Sequence, residues 1–369
     1  MALVHPAGAG RLAGRVWGLV RAVGETAGLG LAQGSLTLIF VIFVAATSLF
    51  HLVWRRTPQT FDYTLIVSNA AAYFWFSHAL LWQDYREWLG SFSLLLALFY
   101  GGLAALARQR SSANARLSLA ALGIALVFLT VAIPVQLGDQ AWTTVAWAAQ
   151  GAVLVWLSFA MRLPPLRYAG YAVFALMVVR LLFFDTPVEL RTFQPVLNER
   201  FLAFATGITA LYLAGFILQR EGAALQQWER TSQAIFRVFW VSAHFCSLWL
   251  LSAEVLHFFE AQIADQAATP GELAVSELRN AQNLALTALW GGYAALLLIA
   301  GIVRRSRPVR LAGLGLLALS VLKVFGYDVF ALERAFRIGA FIGLGVILLA
   351  AGYLYQRYSR TIREVLLAE

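Results

Sequence analysis

Eleven long apolar runs fill this chain and leave it few ways to fold. They cover roughly residues 35–54, 64–82, 91–107, 117–134, 141–160, 168–184, 201–218, 235–258, 279–303, 310–325 and 336–355. A run of about 20 apolar residues is long enough to cross a bilayer as a helix, which satisfies its own backbone hydrogen bonds in lipid. Hydrophobic residues make up 60% of the chain and charged residues 13%, against about 25% charged in soluble domains. The sequence therefore predicts an all-α, polytopic membrane protein of eleven transmembrane helices.

Charges alternate between the loops that join these runs. Arginines cluster at 55–56, 108–116, 162–167, 220–237, 304–310 and 357–363, whereas the other loops carry acidic residues at 84–87, 139, 185–189 and 260–272. By the positive-inside rule, the arginine-rich loops and the C-terminus are cytoplasmic. The arginines also explain the net charge of +9, so no nucleic acid partner is predicted. Arg11, Arg15 and Arg21 oppose an outside N-terminus, so either residues 10–32 re-enter the membrane or the number of helices differs by one from eleven. We expect residues 1–34 to form an interfacial or re-entrant segment.

Internal repeats organise the second half. Residues 147–185 align without a gap on 290–328, and residues 200–220 then match 337–357. Each copy contains three helices, and a linker helix joins the copies. Because four helices per period is an even number, the copies are predicted to be parallel repeats. A fainter third copy is predicted in 35–134, so that the expected divisions are 1–34, 35–134, 141–258, 270–358 and a cytoplasmic tail at 359–369.

The repeated stretches also resemble a known family. "RPVRLAGLGLLALSVLKVFGYD", "RIGAFIGLGVILLAAGYLYQR" and the earlier "AWAAQGAVLVWL" are similar to the signature of a bacterial family of predicted multi-pass membrane proteins, catalogued only as a domain of unknown function. The resemblance covers about 120–358. It implies location in the bacterial inner (plasma) membrane and supplies no catalytic residues. Gln150 stands where the family often has an acidic residue, so a carboxylate role is not carried over to it.

Lys323 is the only lysine in the chain, and it aligns with Arg180 of the other copy. Under the predicted topology a polar cluster falls in the outer third of the membrane and comprises His78, Asp84, Arg180, Asp185, Glu254, His257, Lys323 and Asp328. Charges inside a membrane are costly and are functional candidates by default, although Arg180 and Lys323 could instead snorkel to the headgroups. If they face the bundle, each should have a carboxylate or a helix-end carbonyl within about 4 Å.

Two ion pairs, Asp185 with Arg200 and Asp328 with Arg337, are predicted to close the outer hairpins as structural contacts. Asn69 and His244 are predicted near mid-membrane, either as satisfied core groups or as members of a site. Glu254 and His257 have the Glu-x-x-His spacing of di-iron bundles, which require a second copy and two more carboxylates. The sequence offers no second copy, so no metal and no cofactor are predicted.

Three classes of function remain open. A non-catalytic binding, transport or channel-like role fits an outward-facing polar cluster on a repeat-built bundle. A membrane-embedded enzyme would use Glu254 and His257 as acid and base on a lipid-linked or envelope substrate. A scaffold would assemble envelope protein partners through its helix faces, with membrane lipids around it. The first class is the prediction, and the other two are its alternatives.

Overall fold

The computed structural model describes residues 18–20, 22, 26, 28–49, 60–110, 115–138, 141–187, 193–196, 198–225, 234–266, 272–304, 306–328 and 334–357. Helices joined by turns account for this part of the chain, and it contains no strand. Ten of its helices are long and apolar enough to cross a membrane. The predicted all-α membrane class is confirmed.

The helices follow one another with short connections. They are α1 (Leu29–Val44), α2 (Thr60–Leu81), α3 (Leu89–Arg110), α4 (Ala115–Leu137), α5 (Ala141–Ala160), α6 (Pro164–Phe183), α7 (Glu199–Arg220), α8 (Ala234–Gln266), α9 (Glu272–Val303), α10 (Arg307–Lys323) and α11 (Arg334–Arg357). Five-residue π-helical turns extend α1 to Leu49 and α10 to Asp328, and a short 3₁₀ turn, Arg86–Trp88, precedes α3.

The candidate spans coincide with the first ten predicted runs. The eleventh run lies in α11, whose apolar stretch within the described residues, Phe341–Ala350, is shorter than a full span. The first candidate span is Leu29–Ser48. Two of its polar side chains contact α2: the Gln33 amide donates to Ser77 Oγ at 2.9 Å, and the Thr37 hydroxyl lies 2.9 Å from the Tyr73 hydroxyl.

The chain divides into two compact units, Met1–Ala175 and Leu176–Glu369, and the division falls within α6. The core of the first unit is an aromatic cluster contributed by α1 to α4. The Phe40 and Tyr73 rings stack at 4.2 Å, and the Tyr100 and Phe128 rings lie 6.1 Å apart. All four side chains are buried, so this cluster holds the first four helices together.

In the second unit α8 packs against α7 and α9, and α9 packs against α10 and α11. Glycine permits the closest approach of α7 to α8, because a Cβ built on Gly215 would lie 3.0 Å from Trp240 Nε1. The two central helices are long: α8 has 33 residues and α9 has 32. At 1.5 Å per residue they extend about 50 Å, beyond the hydrocarbon core of about 30 Å.

Two tryptophans make corresponding contacts in the two units. Trp147 on α5 donates its indole N–H to the Thr130 carbonyl on α4 at 3.0 Å. Trp290 on α9 donates its indole N–H to Ser252 Oγ on α8, also at 3.0 Å. Each tryptophan therefore ties its helix to the preceding helix.

Two glycines also correspond. A Cβ on Gly170 would lie 3.2 Å from the Gly151 carbonyl oxygen, and a Cβ on Gly313 would lie 3.1 Å from the Ala294 carbonyl oxygen. In the gapless alignment Gly170 matches Gly313 and Gly151 matches Ala294. The pairs α5/α6 and α9/α10 therefore each have a close contact at these aligned positions.

Candidate functional site

The most polar site of the second unit lies where the start of α7 meets α8. Its members are Asn198, Arg200, Glu254 and His257, hereafter the Arg200 cluster. Asn198 caps α7: its backbone is extended and its Oδ1 accepts a hydrogen bond from the Phe201 N–H at 2.7 Å. An asparagine in this position satisfies an otherwise unpaired helix N–H. The cap therefore fixes where α7 begins and places Arg200 in its first turn.

Arg200 is the centre of the cluster, and its side chain is 1% exposed. Its Nε and Nη2 donate to Glu254 Oε1 at 3.2 and 2.8 Å. Its Nη1 donates to the Thr186 carbonyl at 3.2 Å and lies 2.8 Å from His257 Nδ1. His257 Nδ1 also lies 2.8 Å from the Ala253 carbonyl of its own helix, so this nitrogen either accepts from Arg200 or donates to that carbonyl, according to the tautomer of the ring. Each nitrogen of the buried guanidinium thus has a partner.

The segment before α7 covers the cluster. The Val196 N–H donates to Glu254 Oε2 at 3.1 Å, and the Asn198 side-chain amide donates to Glu254 Oε1 at 3.0 Å. Val196 has φ 66°, a left-handed conformation that costs a β-branched residue about 1–3 kcal/mol. Glu254 therefore holds this loop in a strained conformation.

An aromatic ring completes the cover. The Phe193 ring centroid lies 5.6 Å from the guanidinium carbon of Arg200 and 6.0 Å from the His257 ring. A cation over an aromatic face gains electrostatic stabilisation that increases as water is excluded. The covering loop therefore shields the charges from solvent as well as contacting them.

Arg180 and Asp185 form a second ionic contact at the end of α6. Arg180 Nε lies 3.6 Å from Asp185 Oδ1, and both side chains are buried. Arg180 therefore has a carboxylate within the expected distance and does not reach out to lipid. The predicted partner of Asp185 was Arg200, whereas Arg200 is paired with Glu254 at 2.8 Å. The pairing differs because α8 presents its carboxylate directly to the first turn of α7.

Lys323 is half-buried and faces α9. Its Nζ donates to Thr287 Oγ1 at 2.7 Å and to the Asn283 carbonyl at 3.2 Å. The carbonyl belongs to the interior of α9. The side chains of the predicted pair Asp328 and Arg337 lie outside the described residues.

His244 lies at the junction of three helices. Its Nδ1 is 3.0 Å from the Tyr212 hydroxyl on α7 and 2.9 Å from the Tyr293 hydroxyl on α9. The neutral ring nitrogen can accept a hydrogen bond from only one hydroxyl at a time, and the Tyr293 hydroxyl also reaches the His244 carbonyl at 3.4 Å. These contacts make His244 a polar link between α7, α8 and α9.

The remaining predicted residues belong to the first unit. Asn69 donates its amide to the Phe40 carbonyl at 3.2 Å and thereby joins α2 to α1. His78 lies between aromatic rings, 5.8 Å from Phe74 and 4.9 Å from Trp82. Asp84 is exposed in the turn after α2.

Sequence reasoning missed several members of these sites, namely Thr186, Phe193, Val196, Asn198, Tyr212, Thr287 and Tyr293. Asn198 carries a recognisable signal, because an asparagine directly before an apolar helix is an N-cap pattern. The described part of the chain holds no group of three or more histidine, cysteine, aspartate or glutamate side chains placed to bind a metal.

Ten helices long and apolar enough to cross a membrane, with buried ionic contacts such as Arg200–Glu254 between them, define a multi-pass membrane protein. The model of the family described as "Predicted membrane protein (DUF2339)" matches residues 9–185 and 161–358. The chain therefore belongs to this family of predicted membrane proteins of unknown function. No curated protein and no solved structure matches it significantly.

Proposed function

We propose that this protein is a non-catalytic binding or transport protein of the bacterial inner membrane and that the Arg200 cluster is its ligand site. The observation that carries the proposal is the buried arginine, 1% exposed, at one end of two apolar helices. Charge in such a place is costly and marks functional sites in membrane proteins. The strained loop over the cluster supports a site that opens and closes rather than a fixed strut.

The contacts favour binding over acid–base catalysis. Both carboxylate oxygens of Glu254 accept hydrogen bonds from N–H groups. His257 Nδ1 faces the Arg200 guanidinium. A general base needs a lone pair within reach of the substrate proton. Glu254 is instead placed as a counter-charge that a carboxylate or phosphate ligand would replace on Arg200.

Transport is supported by the polar contacts below the cluster. His244 lies ten residues before Glu254 on α8, which corresponds to about 15 Å along the helix axis. Its Nδ1 contacts the hydroxyls of Tyr212 and Tyr293. Polar groups therefore continue from the Arg200 cluster toward the middle of the bilayer, as a conducted ligand or proton would require.

The proposed orientation places the Arg200 cluster outside and the C-terminus in the cytoplasm, because arginine-rich loops favour the cytoplasmic side. Reporter fusions after Gln266 and after Arg360 test this orientation. We expect a periplasmic signal from the first fusion and a cytoplasmic signal from the second. The reverse pattern would refute the orientation.

Cysteine labelling tests the ligand site. In a Cys246→Ser background, Phe193→Cys on the covering loop is expected to react with a membrane-impermeant maleimide from outside. Carboxylate- and phosphate-bearing envelope compounds are then screened for protection of that cysteine. Glu260→Cys, on an exposed position of α8, is the matched control. If every compound leaves both positions labelled at unchanged rates, the cluster is not a binding site for these ligands.

We also propose that the chain is built from parallel repeats in which α4 to α7 correspond to α8 to α11. Support comes from the corresponding tryptophan hydrogen bonds and from the corresponding glycine contacts. The two tryptophans, and both residues of each glycine contact, fall at positions that the gapless alignment equates. Chance similarity of apolar helices would not be expected to reproduce the same contacts at the same positions.

A further inference from the structure

Thr186 connects the Arg200 cluster to the exposed surface of α8. Its carbonyl accepts a hydrogen bond from Arg200 Nη1 at 3.2 Å, and its hydroxyl oxygen accepts one from the indole N–H of Trp249 at 3.0 Å. The same hydroxyl donates to the Leu181 carbonyl of α6 at 2.8 Å, which fixes its position. The Arg200 side chain is 1% exposed, whereas Trp249 is 40% exposed. A single residue therefore separates the buried guanidinium from a tryptophan on the surface.

An exposed apolar stripe continues from Trp249 along α8. Its members are Trp249, Phe245, Val241 and Val238, which lie three or four residues apart and therefore share a helix face. The last three are between 49% and 64% exposed, and the rings of Phe245 and Trp249 lie 5.9 Å apart. From residue 238 to residue 249 the stripe extends about 16 Å along the axis, at 1.5 Å per residue. This length matches one leaflet of a hydrocarbon core of about 30 Å.

The stripe alone selects no ligand, because acyl chains cover any exposed face of a helix in a bilayer. Selectivity comes from Arg200, which lies at the end of the stripe where Thr186 contacts Trp249. A guanidinium is planar and presents paired N–H donors that match the oxygens of a phosphate. A positive charge beside an apolar surface that descends into the membrane complements a molecule with an anionic head and a hydrocarbon chain.

We propose that the ligand of the Arg200 cluster is a lipid phosphate, with its phosphate on Arg200 and one hydrocarbon chain along the stripe. The inference rests on the ligand site proposed above and adds the class of the ligand and its route, which runs from the bilayer past Thr186. A lipid that follows this route stays in its leaflet, so only its phosphate enters the protein. A water-soluble anion gains nothing from the stripe, because it has no chain to place there.

Glu254 can be replaced on Arg200 without losing all of its partners. The phosphate first meets Arg200 Nη1, because this nitrogen donates to the Thr186 carbonyl, an uncharged group beside the stripe. It then replaces Glu254 on Nε and Nη2 of the guanidinium. Glu254 keeps the N–H donors of Val196 and Asn198 in the covering loop. The exchange therefore leaves neither buried charge without a partner.

The test measures quenching of tryptophan fluorescence in the full chain by brominated lipids in bilayer discs. Bromine quenches indoles that the lipid chain contacts, and the difference between the wild type and Trp249→Phe isolates the signal of Trp249. Brominated phosphatidic acid carries a free phosphate, whereas brominated phosphatidylcholine has the same chains but a phosphate masked by choline. Trp156 on α5, 56% exposed and isolated in the same way by Trp156→Phe, is the matched control. For Trp249 we expect half-maximal quenching at a mole fraction of phosphatidic acid about tenfold lower than that of phosphatidylcholine, the gain of one charge-assisted hydrogen bond. For Trp156 the two lipids should be equal.

Glu254→Gln removes the competing charge and keeps the shape of the side chain. It should lower the required mole fraction of phosphatidic acid by a further factor of about five, the repulsion of two like charges at about 4 Å in a water-like medium. An equal response of Trp249 to the two lipids, or the same preference at Trp156, would overturn the inference. If inorganic phosphate protects Phe193→Cys from labelling while the lipids quench Trp249 equally, the ligand site is retained and only the lipid class is wrong. If phosphate gives no protection and the lipids are equal, both proposals fail.

Discussion

Replacing Glu254 by alanine is expected to lower the free energy of unfolding by about 3–5 kcal/mol. The change removes the acceptor of four N–H groups, namely Nε and Nη2 of Arg200, the Asn198 amide and the Val196 backbone. Val196 is exposed and Asn198 is partly exposed, so water can replace the carboxylate for both. The Arg200 side chain is 1% exposed and is not readily rehydrated. Most of the loss therefore comes from leaving a buried guanidinium without its counter-charge.

The measurement is denaturant or thermal unfolding of the purified protein in one detergent. Glu260→Ala on the exposed side of α8 is the matched control, and it should change stability by no more than about 0.5 kcal/mol. The double variant Arg200→Met/Glu254→Leu should be more stable than Glu254→Ala, because it removes both buried charges. It should not reach the wild type, since the Thr186 carbonyl loses the N–H donor of Arg200. A loss below about 1 kcal/mol for Glu254→Ala would refute the reasoning.

Two further predictions concern α10. Gly313→Ala should destabilise the protein by about 1–3 kcal/mol, because its Cβ would lie 3.0 Å from the Leu298 backbone nitrogen. The control, Gly315→Ala, has open space around it and should be neutral or stabilising. Equal unfolding midpoints for the two variants would contradict the predicted contact. Lys323→Met should lower stability by about 1–3 kcal/mol through loss of charge-assisted hydrogen bonds, whereas Lys323→Arg should lower it less. Leu322→Met, 67% exposed, is the control, and a Lys323→Met variant as stable as this control would show that the ammonium is dispensable.

The helices could be predicted from sequence because lipid imposes one requirement on all of them. An apolar run of the right length must be helical to satisfy its backbone, and α5 lies where its run was expected, at Ala141–Ala160. The contacts of the polar residues in α1, Gln33 and Thr37, could not be predicted in the same way. Their partners, Ser77 and Tyr73, are about forty residues away along the chain and follow only from helix packing.

Three members of the site could be predicted, but their pairing could not, and the capping residue Asn198 was missed. Arg200, Glu254 and His257 each stand out as polar residues in apolar surroundings. Which carboxylate meets Arg200 depends on the rotation of α8 against α7, and the sequence does not specify that angle. Asp185 was nearer along the chain, yet the structure gives it Arg180 as a partner and gives Arg200 to Glu254. Local sequence distance is therefore a poor guide to pairing when a third helix packs against the same turn.

The length of α8 and α9 has a practical consequence for imaging this molecule. A chain of 40.5 kDa whose helices lie almost wholly inside a detergent micelle offers little by which single particles can be aligned. The surplus of α8 and α9 over the hydrocarbon core is about 20 Å, and charged residues such as Glu260, Asp265 and Glu277 lie toward the ends that adjoin in sequence. A helical fusion partner or an antibody fragment could be attached at these ends. It would be joined rigidly to α8 and α9, which carry Glu254, His257 and Trp290, and would give single particles a feature by which to be aligned.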